Sequence, residues 1–514
     1  MNKKINQHIY YYLLPLLLGG ITSFSFPPYN FVLINFLTFP ILLFILIEAQ
    51  KKLNPSWLNF KIGWLFGIGY FLSNIYWIVY SLTFEEIFKY FIPFALIIIP
   101  SFLGLFYGLI TLVSSRFKLE KNFSSIVIFS LTFAVIEFFR GFILGGFPWN
   151  LIVYSLTNFL ESLQILSITG TYSLNLICIT FFLLPSMLIF KKSIKFKILL
   201  TIFVLITLIG NQLYGYWKIK MDEKFYSKFN DLKIKIVSPK ISIDRFYDSS
   251  DDFDIIEEIV KLSNPKDSEN TIFIFPEGAL AGFDLESLKY FKEVFTNNYS
   301  ENHSIIMGIN TVRNNNTYNS MVILDNQINL LNEYNKIKLV PFGEFLPLEK
   351  FLKKFGLKKV TQGYESFSPG KLRGSINIKN TNFSFVPLIC YEIIYSGKIG
   401  KDFNNINFII NISEDGWFGD SIGPYQHFSH SIFRSIEEGK NIIRSSNNGI
   451  SAYIDSNGIV IARLESTQRG VIEVNKYKKI NETIFSKHGN KIFFYFILFY
   501  ISFIFLNYKK RKGA

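Results

Sequence analysis

The feature that most constrains this chain is its set of long apolar segments. A helix needs roughly 20 mostly apolar residues to cross the hydrocarbon core of a bilayer. Seven such segments precede residue 215, and an eighth lies near the end of the sequence. Their approximate bounds are 9–26, 30–47, 61–81, 91–114, 123–140, 166–190, 197–213 and 491–508. The sequence therefore predicts a polytopic α-helical membrane protein with eight spans.

The composition changes between the seventh and eighth segments. Residues 214–490 are polar and mixed in charge, and short apolar runs alternate there with helix-like stretches. We therefore expect a seven-helix transmembrane domain over 1–213, a domain outside the membrane over 214–490, and an eighth helix with a basic tail over 491–514.

The outer domain has the pattern of a layered α/β fold. Several of its apolar runs are apolar throughout, which is typical of strands covered on both faces, and helices over sheets are the usual solution. Strands are predicted at 232–238, 271–277, 304–310, 320–325, 383–392, 407–413 and 449–455, and helices at 251–263, 284–297 and 424–440.

The net charge of +14 lies on alternate loops. The N-terminus, the loops after the second, fourth and sixth segments, and the C-terminal tail carry 16 basic residues against Glu48 and Glu120, so the rest of the chain is neutral. Basic residues concentrate in cytoplasmic loops. The pattern predicts that both termini are cytoplasmic and that 214–490 faces the other side. Nucleic acid is not expected as a partner, because the basic residues serve topology.

An alternative applies to the first segment. Lys3 and Lys4, an apolar run and "GGITSFS" also fit a cleaved signal peptide, which would leave seven spans. The short uncharged connection "FPPYN" (26–30) favours a retained first helix.

Three segments of the outer domain end in residues suited to acyl transfer. "TIFIFPE" ends with Glu277, "EYNKIKLVPFGEFLP" contains Lys336, Lys338 and Glu344, and "FVPLICYE" contains Cys390 near its end. A lone cysteine in an apolar strand is usually a packing residue. A thiol becomes a nucleophile when a carboxylate takes its proton and a cation stabilises the thiolate and the oxyanion. Together these residue types favour acyl transfer through a thioester.

The strings around these residues resemble the nitrilase (carbon–nitrogen hydrolase) superfamily. "FPEGAL" surrounds Glu277, "YNK" contains Lys336 and "LICYE" contains Cys390, and the resemblance covers about 230–470. That superfamily uses a Glu-Lys-Cys triad on an α-β-β-α sandwich. Lys336 and Lys338 point the same way on an extended strand, so spacing leaves both open. The resemblance selects Lys336.

Further strings resemble one membrane branch of that superfamily, the apolipoprotein N-acyltransferases. They are "GFPW" (146–149), "LVPFGE" (339–344), "WFG" (417–419), "GPYQH" (423–427) and "RSSNNG" (444–449). The resemblance implies a bacterial inner-membrane enzyme whose catalytic domain faces the periplasm. It implies acyl transfer from a phospholipid to the N-terminal amine of a diacylated apolipoprotein, without metal or cofactor.

The resemblance also assigns roles. It makes Glu277 the general base, Cys390 the acyl-carrying nucleophile, and Lys336 with the Tyr391 backbone N–H the oxyanion donors. Two carboxylates receive supporting roles around Lys336: Glu344 and Glu392. The candidates for positions near the substrates are Trp149, Phe342, Trp417, Phe418 and Gly419.

Three stretches need separate interpretation. His427 could be read as catalytic, and we interpret it as part of a helix start beside the site. Ser238-Pro239-Lys240 stands where the branch usually has Gln-x-Asn, and Phe246 stands where a tryptophan is common, so the resemblance does not define substrate contacts there. In "PLEKFLKKFGLKK" (347–359) apolar residues recur at helical spacing between lysines. This pattern suits a membrane-contacting arm or an ordinary surface helix.

Two other functions fit parts of the sequence. A membrane-tethered amidase or nitrilase would use the same triad with water as the acceptor. A transporter or receptor with an inactive enzyme-like domain would place charged residues along a path through the spans. Glu137 and Arg140 are the main candidates for such a path, and their spacing indicates a local pair.

Overall fold

The computed structural model describes residues 6–190, 193–246, 252–280, 283–347, 366–379, 381–397, 406–479 and 482–512, with the single residues 349, 354 and 399. The chain forms two compact units. The helical unit comprises Met1–Val79, Tyr90–Ile219 and Lys487–Ala514, and the sheet unit comprises Tyr80–Lys89 and Lys220–Ser486. The segment 80–89, which begins at the end of the third apolar segment and leads to the fourth, thus belongs to the sheet unit.

The apolar segments form the long helices of the helical unit. They are α1 (Leu14–Thr22), α2 (Asn35–Ala49), α3 (Pro55–Ile75), α4 (Ile92–Ser115), α5 (Phe123–Arg140), α6 (Leu166–Leu183), α7 (Ile194–Asp222) and, at the C-terminal end, α11 (Lys491–Lys512).

Six spans within the described residues are long and apolar enough to cross a membrane: Val32–Ala49, Pro55–Leu82, Ile92–Ser115, Phe123–Arg140, Leu166–Leu188 and Ile194–Phe225. The first expected span is divided into a π-helical turn (Ile9–Leu13), α1 and a 3-10 turn (Ser23–Ser25). The last is a shorter apolar helix, Lys491–Leu506. The polytopic helical class is confirmed, and the count of eight spans stays a prediction.

The sheet unit contains two six-stranded sheets. The strands of the first are β2 (Lys233–Ser238), β3 (Thr271–Ile274), β4 (His303–Arg313), β5 (Asn316–Leu324), β6 (Leu330–Asn335) and β13 (Gly470–Val474). Those of the second are β7 (Ile376–Asn377), β8 (Ser384–Ile389), β9 (Phe408–Glu414), β10 (Asn441–Asn447), β11 (Ser451–Ile454) and β12 (Val460–Leu464). The first sheet has the order β13-β2-β3-β4-β5-β6 and the second β12-β11-β10-β9-β8-β7. A short pair, β1 (Tyr226–Lys228) and β14 (Lys476–Lys478), lies beside them.

Helices cover the two sheets. Apolar residues of α8 (Asp252–Ser263) and α9 (Lys292–Asn298) share one core with the first sheet, and α10 (Gly423–Glu438) packs on β10 and β11. Between the sheets, the Ser445 hydroxyl donates to the Val237 carbonyl at 2.8 Å. The predicted α/β layered class is confirmed as an α-β-β-α sandwich.

Parallel pairing brings the chemistry-bearing ends of strands together. β2, β3 and β4 run parallel in the first sheet, and β8, β9 and β10 run parallel in the second. Glu277 lies just beyond the carboxyl end of β3, and Cys390 directly follows the carboxyl end of β8. Open sheets with parallel strands place their sites at these ends.

Most of the predicted elements are present, with two corrections and one gap. The helix predicted at 284–297 is broken into Leu285–Leu288, a 3-10 turn at Lys289–Phe291, and α9. Seven strands were not predicted: β1, β6, β7, β10, β12, β13 and β14. In the proposed arm, Leu348, Phe351, Leu352 and Phe355 lie outside the described residues, so the arm stays a prediction.

Candidate active site

Lys336 is held between two carboxylates. Its Nζ donates to Glu277 Oε1 at 3.1 Å and to Glu344 Oε1 at 2.9 Å, and its side chain is 1% exposed. The Asn319 amide on β5 donates to the same two oxygens, at 2.7 Å each. The second Glu277 oxygen accepts from the Glu414 N–H at 3.0 Å, so Glu277 contacts the ends of both sheets.

The charge of Lys336 is set by these neighbours. Burial by itself lowers the pKa of its ammonium, but Glu277, Glu344 and Cys390 outweigh burial and hold the pKa well above its ordinary value. Lys336 is therefore a cation at neutral pH inside a buried site. A buried cation of this kind can stabilise a developing oxyanion.

The backbone brings Glu277 close to β4 at Gly308. A Cβ atom added to Gly308 would lie 2.5 Å from the Glu277 Cα, closer than Cβ contacts occur. Glycine is thus required there by the approach of the Glu277 loop.

Cys390 stands at a strained position directly after β8. Its φ is +47°, in the left-handed region, and it begins a 3-10 turn, Cys390–Ile394. Non-glycine residues in that region cost on the order of 1–3 kcal/mol and persist where the surroundings fix them. Burial and then the Glu277 charge raise the pKa of the Cys390 thiol well above its ordinary value, although Lys336 lowers it. The resting group is therefore a thiol that needs a base.

Glu392 ties the Lys336 segment to the Cys390 turn. Its carboxylate accepts from the backbone N–H of Ile337 at 3.0 Å and of Ile389 at 3.0 Å. It also accepts from the Tyr334 hydroxyl at 2.8 Å and from Arg373 at 2.8 Å, and the Glu392 side chain has no exposed surface. The pair with Arg373 is therefore a buried ion pair and not a surface salt bridge.

A second buried network contacts the Cys390 turn through His427. Asp415 contacts His427 Nδ1 at 2.9 Å and accepts from Arg444 Nη2 at 2.8 Å, and all three side chains are fully buried. Burial alone raises the pKa of Asp415, but Arg444 and His427 outweigh it and lower the pKa below its ordinary value. His427 is the fifth residue of α10, as the helix-start interpretation predicted.

Asp415, His427 and Cys390 also place three potential metal-ligand atoms within 4.8 Å of one another, among the described residues. The fit to a metal is poor. The Arg444 guanidinium already occupies Asp415 and repels a cation, and both ring nitrogens of His427 face other partners. We assign no metal to this cluster.

The "WFG" residues form an aromatic surface in the sheet unit. The Trp417 ring lies 5.1 Å from that of Phe246 and 5.7 Å from that of Phe84. Phe246 also lies near Gly278, where an added Cβ would be 2.9 Å from its ring. Phe246, at the position of the missing tryptophan, thus lies beside the Glu277 loop.

The remaining substrate-proximal candidates lie in different places. Phe418 packs edge-on against His427 at 5.6 Å, and Phe342 stands in a turn with φ +65° and is 53% exposed. Gly419 contacts the Tyr80 ring. Trp149 belongs to the helical unit, where it is buried 5.0 Å from Trp77.

Glu137 and Arg140 form a buried pair in the helical unit at 3.1 Å. Asn175 donates to Glu137 at 2.7 Å, and Tyr107 donates to it at 3.1 Å. Arg140 also binds the Phe147 carbonyl, so the pair holds the "GFPW" segment in place. The expected local pair is present, and its partners indicate a role in positioning a loop.

Three buried polar residues of the site were not singled out from the sequence: Asn319, Asp415 and Arg444. Arg444 lay inside the quoted string "RSSNNG", which was the available signal for it. Asn319 and Asp415 lie in ordinary-looking stretches, and only the sheet pairing brings them to the site.

Comparison with known proteins supplies the family. The family model of the apolipoprotein N-acyltransferase N-terminal domain matches residues 18–184, and that of the carbon–nitrogen hydrolase matches 241–476. The apolipoprotein N-acyltransferase of Brucella melitensis biotype 1 is 30% identical, over 88% of this chain and 87% of the relative. That of Rickettsia prowazekii (strain Madrid E) is 33% identical, over 95% and 96%. A solved CN-hydrolase superfamily protein from Xanthomonas campestris is 16% identical and covers 48% of this chain and 90% of its own, with a TM-score of 0.35.

Proposed function

This chain belongs to the apolipoprotein N-acyltransferase family, and from that premise we propose that it acylates bacterial lipoproteins through a thioester on Cys390. The donor is a membrane phospholipid, and the acceptor is the N-terminal α-amine of a diacylglyceryl-cysteine apolipoprotein. The reaction is the last step of lipoprotein maturation. The observation that carries the proposal is the buried Lys336 cation between Glu277 and Glu344, which interacts electrostatically with the strained Cys390.

The first half-reaction forms the thioester. The Glu277 carboxylate takes the thiol proton of Cys390, and the sulfur attacks the ester carbonyl carbon of the phospholipid. Lys336 and the Tyr391 N–H stabilise the oxyanion. When the tetrahedral intermediate collapses, the carbon–oxygen bond breaks. The lysophospholipid oxygen then takes the proton from Glu277.

The second half-reaction releases the acyl group to nitrogen. The neutral α-amine of the apolipoprotein attacks the thioester carbonyl carbon, and Glu277 accepts a proton from the nitrogen. The carbon–sulfur bond breaks and the proton returns to the sulfur. The products are the N-acylated lipoprotein and the free Cys390 thiol.

Glu344 and Glu392 support this chemistry without reacting. Glu344 holds Lys336 in place, and its second oxygen accepts from the Val340 N–H at 2.8 Å. Glu392 fixes the backbone on either side of the site through Ile337 and Ile389. Trp149, Phe342 and the aromatic "WFG" surface are proposed to contact the lipid substrates.

The chain is a multi-pass membrane protein. We infer that it resides in the bacterial inner membrane with eight spans, that both termini are cytoplasmic, and that the catalytic domain faces the periplasm. The charge distribution supports this orientation, since the net positive charge is confined to the loops expected in the cytoplasm.

The thioester is tested by acyl labelling. The purified protein is incubated with phospholipid carrying a labelled acyl chain, and a label on the protein that hydroxylamine removes is expected. Cys390→Ala should carry no label. Cys178→Ala is the matched control, because Cys178 is the other cysteine of the chain and lies in α6. Label persisting in Cys390→Ala contradicts the thioester.

The acceptor distinguishes the transferase from the hydrolase. Adding a diacylated lipopeptide to the labelled protein should move the label to the peptide amine. Release of the label as free fatty acid, at the same rate with and without the lipopeptide, would favour a membrane-tethered hydrolase.

A further inference from the structure

The carbonyl oxygen of Cys390 faces two buried donors. His427 Nε2 lies 3.3 Å from it, and Asn411 Nδ2 lies 3.4 Å from it. His427 and Asn411 are both fully buried, on α10 and β9. The contact reaches the backbone of the nucleophile, which the mechanism above does not use.

The surroundings of His427 place a proton on Nε2. A carbonyl only accepts, so a lone pair on Nε2 would face a lone pair of Cys390. Nδ1 has one neighbour of each kind, since Asp415 Oδ1 at 2.9 Å only accepts and Arg444 Nη2 at 3.0 Å only donates. The contacts of Nδ1 therefore fit either state, and the Cys390 carbonyl decides that Nε2 carries a hydrogen.

The peptide bond after Cys390 transmits the effect of this hydrogen bond from the Cys390 carbonyl to the Tyr391 N–H. The Cys390 carbonyl and the Tyr391 N–H belong to one planar trans peptide and point in opposite directions. A donor on the carbonyl fixes the plane and polarises the N–H, because hydrogen bonds in a chain strengthen one another. That N–H is the proposed backbone donor to the oxyanion.

We propose that His427 is a positioning residue for the oxyanion site, whose Nε2–H holds the Cys390–Tyr391 peptide and strengthens the Tyr391 N–H toward the oxyanion. The inference rests on the proposed function for the identity of the reaction. It extends that function to a residue that acts through the backbone of the nucleophile, with a ring nitrogen within 4.8 Å of the reacting sulfur.

The position of His427 is itself fixed from several sides. Asp415 and Arg444 hold Nδ1, and Phe418 packs on the ring edge-on. Arg444 also binds the side-chain oxygen of Asn411, so both donors to the Cys390 carbonyl are tied to one guanidinium. The arrangement supplies part of the constraint that a left-handed Cys390 requires.

The test compares two reactions of the same sulfur in the full-length protein. Acylation by a p-nitrophenyl ester passes through an oxyanion, and alkylation by iodoacetamide does not. In His427→Leu we expect the kcat of acylation to fall on the order of 10-fold with an unchanged KM, while the alkylation rate stays within about twofold. His427→Gln carries an amide N–H where Nε2 lies and should recover most of the acylation rate.

Controls separate positioning from packing. His430→Leu makes the same substitution at another buried histidine of α10. It measures how much activity the loss of a buried histidine removes when that histidine is not the one at the Cys390 carbonyl. If His427→Leu does not fold, His427→Asn serves, because its shorter amide does not reach the Cys390 carbonyl. Equal losses of acylation and alkylation, or a Gln variant no better than Asn or Leu, overturn the inference.

The same experiment keeps the two proposals apart. The p-nitrophenyl ester needs only the triad and not a lipid site. A wild-type protein that reacts with this ester but not with phospholipid contradicts the proposed function and still measures the His427 effect.

Discussion

The balance of charge around Lys336 depends on an uncharged residue, Asn319. Its amide donates to Glu277 and Glu344 at 2.7 Å each, and these two carboxylates share the single Lys336 cation. Hydrogen bonds to charged groups contribute about 1.5–3 kcal/mol. Without this donor, both carboxylates lose a partner and the geometry of Glu277 loosens.

We expect Asn319→Ala to slow acylation of Cys390 by phospholipid on the order of 10-fold or more. A tenfold change in rate corresponds to about 1.4 kcal/mol of activation free energy, which is the size of the lost hydrogen bonds. Single-turnover labelling measures the rate. Asn332→Ala, at an exposed position on the neighbouring strand β6, is the control and should react like the wild type. An Asn319→Ala rate equal to that of Asn332→Ala would show that the amide has no part in the chemistry.

The sequence offered Glu277, Cys390, Glu344 and Glu392 as candidates but not Asn319, for a physical reason. Glu277 and Cys390 each follow an apolar run, so their position at a strand end is visible in the letters. Asn319 lies inside β5 and meets Glu277 only because β4 and β5 pair in one register. A contact that depends on register between strands leaves no local trace.

Glu438 gives the sheet unit a pH-dependent stability. It lies at the end of α10, where burial, reinforced by Glu437, raises its pKa to about 7 from an ordinary 4.5. Between these values the folded state holds a proton that the unfolded state has released. The contribution of Glu438 to stability is therefore largest below pH 4.5 and falls as the pH rises toward 7.

Glu438→Gln should remove this loss, which is up to roughly 3 kcal/mol for a shift of this size. The melting temperature in detergent is measured at pH 5.5 and pH 8, and the variant should gain on the wild type mainly at pH 8. Glu286→Gln, with an exposed carboxylate, should follow the wild type at both values. A gain for Glu438→Gln that is the same at both pH values would contradict a titrating Glu438.

At the scale of elements, the segment 80–89 packs so closely against the "WFG" turn that the turn has no room for a side chain at Gly419. Gly419 has φ +63°, and a Cβ atom there would lie 2.4 Å from Cδ1 of Tyr80. The neighbouring Trp417 packs against Phe84 of the same segment. The turn and the segment therefore hold each other through close contact.

Gly419→Ala should displace Tyr80 and disturb the aromatic surface proposed to contact lipid. We expect a higher KM for the phospholipid donor and a melting temperature lower by several degrees. Gly374→Ala is the matched control, because nothing lies within 4 Å of the added Cβ there. If both variants bind donor equally well, the contact with Tyr80 does not shape the donor site.

Strand β10 shows where the prediction of strands from sequence stops. β3 and β9 were predicted because most of their side chains are apolar. β10, "NIIRSSN", was not, since five of its residues are polar (two Asn, two Ser and one Arg), and yet all seven are buried. Arg444 binds Asp415 and Asn411, and Ser445 binds Val237 across the sheets, so these two side chains are satisfied by partners distant in the chain.

At the scale of the whole molecule, the distribution of charge predicts how the chain is oriented in the membrane. The basic residues that make up its net charge lie on alternate loops, and the remaining sequence is neutral. Lys and Arg in short loops remain on the cytoplasmic side. The loop between α4 and α5 should therefore be cytoplasmic and the sheet unit should face the opposite side.

Single cysteines test this orientation in a Cys178→Ala, Cys390→Ala background, because accessibility needs no activity. Gly374→Cys places an exposed thiol in the sheet unit, and Lys121→Cys places one in the loop between α4 and α5. A membrane-impermeant maleimide should label Gly374→Cys in intact spheroplasts and Lys121→Cys only after lysis. The reverse order would mean that the sheet unit is cytoplasmic, where exported apolipoproteins could not serve as acceptors.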